Sequence, residues 1–134
     1  MTIQLGTTLR NNMIGQYETS AGTTPKLQLR TGAQPANCAA ADSGTLLAEL
    51  TLPSDWMTAA SGGAITLNGT WTGTASAAGT AAHYRLKDSA GSVCHEQGSV
   101  TITGGGGDLT IDNNVLASAQ TVNVTSWTRT QGGA

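Results

Sequence analysis

Short segments with alternating apolar and polar residues recur along this chain at intervals of roughly ten residues. Glycine, proline, asparagine or aspartate separates most of these segments, and all four residue types favour turns. From Lys26 to Thr31, for example, Leu27 and Leu29 share one face, and the polar residues around them share the other. Such alternation is typical of half-buried β-strands.

Counting these segments predicts about eight or nine short strands. The clearest after the first are Leu46 to Leu52, Thr80 to Lys87 and Ser92 to Gln97, and Asp88 to Gly91 fits a type I turn between the last two. A length of 134 residues suits one domain. The sequence therefore predicts a single all-β domain over residues 1–134, an antiparallel β-sandwich or jelly-roll-like barrel.

The two ends of the chain depart from the strand pattern. Leu9, Met13 and Tyr17 recur at every fourth position, which predicts a short amphipathic helix from about Thr7 to Thr19 within an N-terminal segment of residues 1–24. Its apolar stripe would pack on a sheet edge or serve as an arm that reaches a neighbouring subunit. Residues 128–134 are polar and are expected to form an extended C-terminal tail.

Charged residues make up only 10% of the chain, and the net charge is −2. Nucleic-acid binding needs a basic stripe, so nucleic acid is not an expected partner. A weakly charged surface rich in threonine, serine and alanine suits a protein covered by neighbouring subunits, and a secreted domain with a hydroxyl-rich surface is the alternative. Without an apolar run of about 20 residues or a signal-peptide pattern, we expect a soluble protein made in the cytoplasm.

Residue types that could carry chemistry are present but lack the required spacing. Cys38, His83, Cys94 and His95 do not follow the usual zinc-ligand spacings, and adjacent Cys94 and His95 point to opposite faces of a strand. The same separation removes His95 as a base for a Cys94 nucleophile. The carboxylates are scattered singly. We therefore expect no metal, no cofactor and no enzymatic activity.

The four glycines from Gly104 to Gly107 resemble a phosphate-binding loop only in composition. Such a loop needs a following helix and a Lys-Ser/Thr pair, whereas Asp108 to Ile111 has the pattern of a strand. A flexible loop between two strands is the prediction.

The hairpin around the predicted turn is expected to be scaffold. If its strands pair symmetrically about the turn, Arg85 lies opposite Cys94 and His83 lies opposite Glu96. One face then belongs to the core, and it holds Tyr84, Leu86 and Val93. The other face is a candidate contact surface, and it holds His83, Arg85 and Glu96.

Two questions stay open at this level. Cys38 lies in a long loop from Gly32 to Gly44, whose length suggests a contact, and Cys38 and Cys94 are either free thiols or a disulfide. The tryptophans at 56, 71 and 127 either fill the core of a chain without phenylalanine or form a platform for stacking sugars.

Four segments in fixed order carry a resemblance to a known family. They read LRNNMIGQYET, TLLAELTLPSDWM, AAHYRLKDSAGSVCHEQGSV and LTIDNNVLASAQTVNVTSWTRTQGGA. Together they resemble small structural proteins of tailed bacteriophages. The order and spacing of the segments carry the likeness, which is weakest between Gly32 and Gly44.

This resemblance implies a non-enzymatic virion component, made in the host bacterium and present in many copies. A capsid decoration (cement) protein is the first expectation, a tail or tail-fibre adaptor the second, and a carbohydrate-binding attachment module the third. The implied partners are copies of itself, as in the trimers common among such proteins, and the major capsid protein or other virion proteins. The residues expected to contribute contacts are Leu9, Met13, Tyr17, Cys38, Trp127 and Arg129.

Overall fold

The computed structural model describes residues 3–134. Two short helical segments come first, α1 (Thr7–Ile14) and α2 (Gln16–Ala21). The strands follow in chain order, and they are β1 (Lys26–Arg30), β2 (Leu46–Thr51), β3 (Ala64–Thr66), β4 (Thr72–Thr74), β5 (Gly79–Thr80), β6 (His83–Lys87), β7 (Cys94–Ile102), β8 (Leu109–Ile111), β9 (Val115–Leu116) and β10 (Thr121–Thr130). The predicted all-β class with a short N-terminal helical segment is confirmed. Neither described helix is long and apolar enough to span a membrane.

Eight strands form one curled sheet in the order β2-β1-β6-β7-β8-β10-β3, with β4 also paired to β10, while β5 and β9 form a separate ribbon. The two ends of the curl meet, because Ala48 in β2 bridges Ala75 just after β4. Beside this bridge, the Ser76 amide donates to the Leu47 carbonyl at 2.7 Å. The curled sheet thus encloses one core.

The inward faces of the strands follow the alternation of the sequence. Leu27 pairs with Leu86 and Leu29 with Tyr84 across β1 and β6, and all four side chains are buried. At the centre, the three tryptophan rings lie with centroids 5.4–5.9 Å apart. They are Trp56, Trp71 and Trp127, each at most 1% exposed. In a chain without phenylalanine, these rings provide the bulk of the core.

The pairing of β7 with β8 is parallel, so the prediction of wholly antiparallel strands is wrong at this place. Parallel neighbours normally need a crossover of a dozen or more residues, yet residues 103–108 suffice here. Glycine makes the short return feasible: a Cβ on Gly107 would lie 2.8 Å from Thr101 Oγ1 and 2.9 Å from the Thr101 backbone nitrogen. Gly104 and Gly106 adopt φ of +84° and +79°. The glycine run predicted as a flexible loop is a close-packed turn between two strands.

The hairpin of β6 and β7 has a different register from the predicted one. The turn bond from the Gly91 amide to the Asp88 carbonyl is present, at 2.9 Å. However, Lys87 pairs with Cys94, and an irregularity at the next step leads Leu86 to pair with Glu96 and Arg85 with Gln97. One extra residue in β7 reverses the faces that follow it.

Two assignments change as a result of this register. Glu96 lies on the inward face with Leu86 instead of the outward face with His83, and Val93, predicted for the core, is 51% exposed in the loop. Tyr84 and Leu86 are in the core as predicted.

The predicted C-terminal tail is shorter than expected, since β10 continues to Thr130. The residues beyond it are tied down, because the Gln131 amide donates to the Gly63 carbonyl at 2.7 Å and the Leu5 amide donates to the Gly133 carbonyl at 2.6 Å. The two described ends of the chain therefore lie side by side.

Candidate functional site

The N-terminal helical segment does not bury the whole predicted apolar stripe of Leu9, Met13 and Tyr17 against the sheet. Gly15 separates α1 from α2, so the predicted continuous helix from Thr7 to Thr19 is interrupted. In α1 the buried side chains are those of Arg10 and Ile14. Leu9 and Met13 are 50% and 43% exposed. These two residues, called the α1 stripe below, form a candidate contact surface.

Polar contacts hold α1 in place beneath the stripe. The Arg10 guanidinium donates from Nη1 to the Gly62 carbonyl at 3.0 Å. The Gly63 amide donates to Asn11 Oδ1 at 2.7 Å. Glycine suits position 63, because its φ is +77° and a Cβ there would lie 3.0 Å from the Gln131 carbonyl oxygen. The helix thus presents Leu9 and Met13 outward from a fixed position.

Beside the stripe, α2 is anchored to the core through Tyr17. Its hydroxyl donates to Glu96 Oε2 at 2.6 Å, and its ring packs edge-on against Trp127 at 5.6 Å between centroids. Met13, Gln16, Tyr17, Ser20 and His95 line a shallow depression of about 240 Å³ next to this contact. Tyr17 therefore contributes one wall of the candidate surface while its hydroxyl is directed inward.

Glu96 is the centre of a hydrogen-bonded network at this end of the sheet. Its carboxylate accepts bonds from Tyr17, from the Tyr84 hydroxyl, from Trp127 Nε1 at 3.0 Å and from Arg129 Nε at 2.7 Å. Arg129 also donates to Glu96 through Nη2. This network joins α2, β6, β7 and β10.

Burial alone would raise the pKa of Glu96, but the bonds from Arg129, Tyr17 and Tyr84 outweigh it and hold that pKa below its usual value. The same contacts act in the opposite direction on the tyrosines. Burial, followed by the bond to Glu96, raises the pKa of Tyr17 to about 12. Burial and the negative charge of Glu96 also raise the pKa of Tyr84. The network therefore consists of a carboxylate, a guanidinium and two neutral phenols at neutral pH.

A second polar cluster lies on the outward face of β1 and β6. The Arg85 guanidinium donates to the carbonyls of Cys38 at 2.8 Å and Ala40 at 3.0 Å, and to Asp42 Oδ1 at 2.6 Å. Lys87 Nζ lies 2.7 Å from Asp42 Oδ2. The long loop from Gly32 to Gly44 thus folds back over the sheet.

The outward face of the hairpin was predicted to be a contact surface, but the chain's own loop covers it. His83 and Arg85 are each 1% exposed. The His83 ring lies 2.8 Å from the Gly32 carbonyl through Nδ1, and Gln97 Nε2 donates to the Pro35 carbonyl at 2.7 Å. The contact suggested by the length of the loop is therefore an intramolecular one.

The open question about the cysteines is answered by a Cys38–Cys94 disulfide, with Cα atoms 5.2 Å apart. The bridge links the middle of the covering loop to the start of β7. Cys94 therefore has no thiol to act as a nucleophile. Cys38 contributes to the loop structure and is only half-buried.

Two predicted contact residues near the C-terminus have other roles. Trp127 is 1% exposed and belongs to the core, so its side chain is not available at the surface. Arg129 is bound to Glu96 and lies over the Trp127 ring, with Cζ 5.0 Å from the ring centroid. The burial of all three tryptophans fits the alternative that they fill the core and leaves no exposed tryptophan platform for sugars in the described residues.

Sequence patterns missed Glu96 and Asp42 as the centres of the two clusters. The only local signal was Asp88, whose carboxylate accepts bonds from the Ser92 amide at 2.9 Å and the Val93 amide at 3.2 Å and so supports a longer hairpin loop. A longer loop pairs Lys87 with Cys94 but would still place Glu96 opposite Arg85 on the outward face. The extra residue in β7 turns Glu96 inward, and no local signal in the sequence marks it.

Comparison of the chain with protein-family models, with curated proteins and with solved structures finds no match.

Proposed function

We propose that this chain is a non-enzymatic structural protein of a tailed-phage virion, and within that class a head decoration protein that stabilises the capsid lattice. The resemblance of the four sequence segments supports the class. The low content of charged residues, 10%, suits a subunit surrounded by others. The observation that carries the proposal is the exposed and immobilised α1 stripe.

An exposed apolar stripe on a fixed helix is suited to docking. Leu9 and Met13 remain 50% and 43% exposed although each is large and apolar. Contiguous exposed apolar patches mark surfaces for protein association, and Leu9 and Met13 are neighbours one turn apart on α1. Because Arg10 and Asn11 already hold α1, docking orders few additional groups and loses little conformational entropy.

Decoration would act by mass action. A protein that binds the assembled lattice but not the free capsid subunits shifts the equilibrium towards the assembled lattice. The proposed partners of the stripe are the major capsid protein or a further copy of this chain. The proposed location of the protein is the virion.

The proposal is tested with phage heads purified without this protein and then incubated with it. We expect the wild-type chain to bind and to raise the temperature at which the heads release DNA. The double substitution Leu9→Asp and Met13→Asp should weaken binding by at least ~10-fold, since burying each side chain contributes roughly 1.5–3 kcal/mol. The double substitution Thr8→Asp and Asn12→Asp adds the same two charges at exposed positions of the same helix outside the stripe and should bind like wild type.

Equal resistance of decorated and undecorated heads to heat and osmotic shock would refute decoration. A cryo-EM map of the complete particle gives location and copy number independently. Density for the chain on the tail instead of the head would favour the tail adaptor function.

A further inference from the structure

Four of the six Lys and Arg residues lie on two adjacent strands. They are Lys26 and Arg30 on β1, and Arg85 and Lys87 on β6. Lys26 and Lys87 are direct cross-strand partners. Like charges in this position repel each other, so the face needs negative charge nearby.

Among the residues that the structure describes, a single carboxylate bonds directly to this cluster. Asp42 contacts Arg30 at 3.1 Å, Arg85 at 2.6 Å and Lys87 at 2.7 Å. The neighbouring Glu49 accepts a bond from Gln28 instead. Three cations against one carboxylate leave an excess of two positive charges in this cluster.

This excess charge is buried. Arg30, Arg85 and Lys87 are 9%, 1% and 6% exposed. Buried charges without partners are costly, so such groups normally have counter-charges and hydrogen bonds. Although burial would raise the pKa of Asp42, its bond from Lys87 and the charge of Arg30 lower it, so the carboxylate stays ionised at neutral pH.

Donor capacity in the cluster also exceeds what the described chain uses. Within residues 3–134, Lys87 Nζ makes one hydrogen bond, to Asp42, whereas an ammonium carries three donors. Arg85 Nε is buried and has no hydrogen-bond partner in the same part of the chain.

A cavity of about 270 Å³ opens onto these groups. Arg85, Lys87 and Asp42 line it together with Ser92 and the alanines at 39–41. The Cys38–Cys94 bridge forms another part of the wall and fixes the loop against β7. A pocket with fixed walls and excess buried positive charge is suited to an anion.

We propose that this pocket binds a small oxyanion, either inorganic phosphate or a carboxylate group. Lys87 is the principal donor and Arg85 contributes positive charge, whereas the Ser92 hydroxyl is already directed at Asp88 Oδ2, at 3.3 Å. Asp42 competes with the bound anion, because its own carboxylate already accepts bonds from Arg85 and Lys87. The inference depends on the geometry of one chain and is independent of the virion proposal.

The test is calorimetric titration of the intact, disulfide-bonded protein with phosphate and separately with acetate, against chloride at equal ionic strength. We expect saturable binding of at least one oxyanion by the wild-type chain. Lys87→Gln should abolish it. Asp42→Asn should tighten it by ~10-fold or more, because a like charge about 4 Å away is removed.

Lys26→Gln is the matched control, because it removes one positive charge from the same face outside the pocket and should leave binding nearly unchanged. Amide shifts of Ala39 to Asp42 and of Ser92 in the wild-type NMR spectrum provide a readout that does not depend on a variant folding. Absence of saturable binding and of these shifts with both anions would refute the proposal. Equal loss of affinity in Lys26→Gln and Lys87→Gln would also refute it, since general attraction would then explain the binding. Binding of acetate alone would identify a carboxylate as the ligand, and binding of phosphate alone would identify a phosphate.

Discussion

At the scale of single residues, Glu96 connects elements that lie far apart in the sequence. Its side chain is 11% exposed, and it accepts bonds from donors on α2, β6 and β10. A buried carboxylate is stable only when hydrogen bonds and a counter-charge replace water. Tyr17, Tyr84, Trp127 and Arg129 provide both, and the lowered pKa of Glu96 reflects this environment.

A lowered carboxylate pKa makes folding stability depend on pH. The unfolded chain binds a proton to Glu96 at a higher pH than the folded chain, so stability from this group is complete above the ordinary glutamate pKa of about 4.3 and declines as pH falls through the lowered folded value. Glu96→Gln should therefore destabilise the protein at pH 7 by about 3–5 kcal/mol, since it leaves the largely buried Arg129 guanidinium without a carboxylate partner.

Urea unfolding of both proteins from pH 7 to pH 3 measures this effect. The difference in free energy of unfolding between wild type and Glu96→Gln should shrink as the pH falls below about 4.3, the ordinary pKa of glutamate. The other acids are the same in both proteins, so their contributions cancel in this difference. A difference that stays constant over the whole range would contradict the assigned role of Glu96.

At the scale of elements, the short connection from β7 to β8 requires glycine, because a side chain would not fit there. The segment between β7 and β8 passes so close to Thr101 that the Thr101 hydroxyl accepts a bond from the Gly107 amide at 2.9 Å. The glycine run therefore has a structural role: it lets the backbone pass close to Thr101 between the two strands.

Gly107→Ala should destabilise the fold by about 1–3 kcal/mol, as is typical when an extra methyl is forced into a packed site. The added Cβ would meet a backbone nitrogen, which cannot move aside as a flexible side chain can. Gly132→Ala is the control, since a Cβ there meets nothing within 4 Å. Thermal unfolding of the two variants should separate them clearly, and equal midpoints would show that the return is looser than described.

At the scale of the whole molecule, the covering loop and its disulfide close one side of the curled sheet. Cys38 and Cys94 are 56 residues apart in sequence. In the chain-entropy description, a cross-link over a loop of this length stabilises the folded state by about 4 kcal/mol. The bridge also holds the loop carbonyls that accept bonds from Arg85.

Replacing both cysteines by serine should lower the free energy of unfolding by about 2–4 kcal/mol. Denaturant titrations of the variant and of the wild-type protein under reducing conditions should agree with each other. Both should fall below the oxidised wild type. Coincident curves for oxidised and reduced wild type would mean that the bridge contributes no stability.

The sequence alone determined the features that depend on near neighbours. The alternation of Leu27 and Leu29, the turn at Asp88 to Gly91 and the N-terminal helical segment each follow from a few consecutive residues, and the structure contains all of them. The sequence left two roles open for the tryptophans, and the lack of phenylalanine favoured the core over a sugar-binding platform. All three are buried in the structure.

Only the tertiary structure decided the features that join distant residues. One extra residue in β7 turned Glu96 inward, the loop from Gly32 to Gly44 folded over Arg85, and Ala48 met Ala75 to close the curl. Alternation cannot locate such an irregularity, because a shift of one residue exchanges the two faces without changing the pattern on either side. The strands were therefore set by local periodicity, whereas both polar clusters were set by register and by the path of a loop.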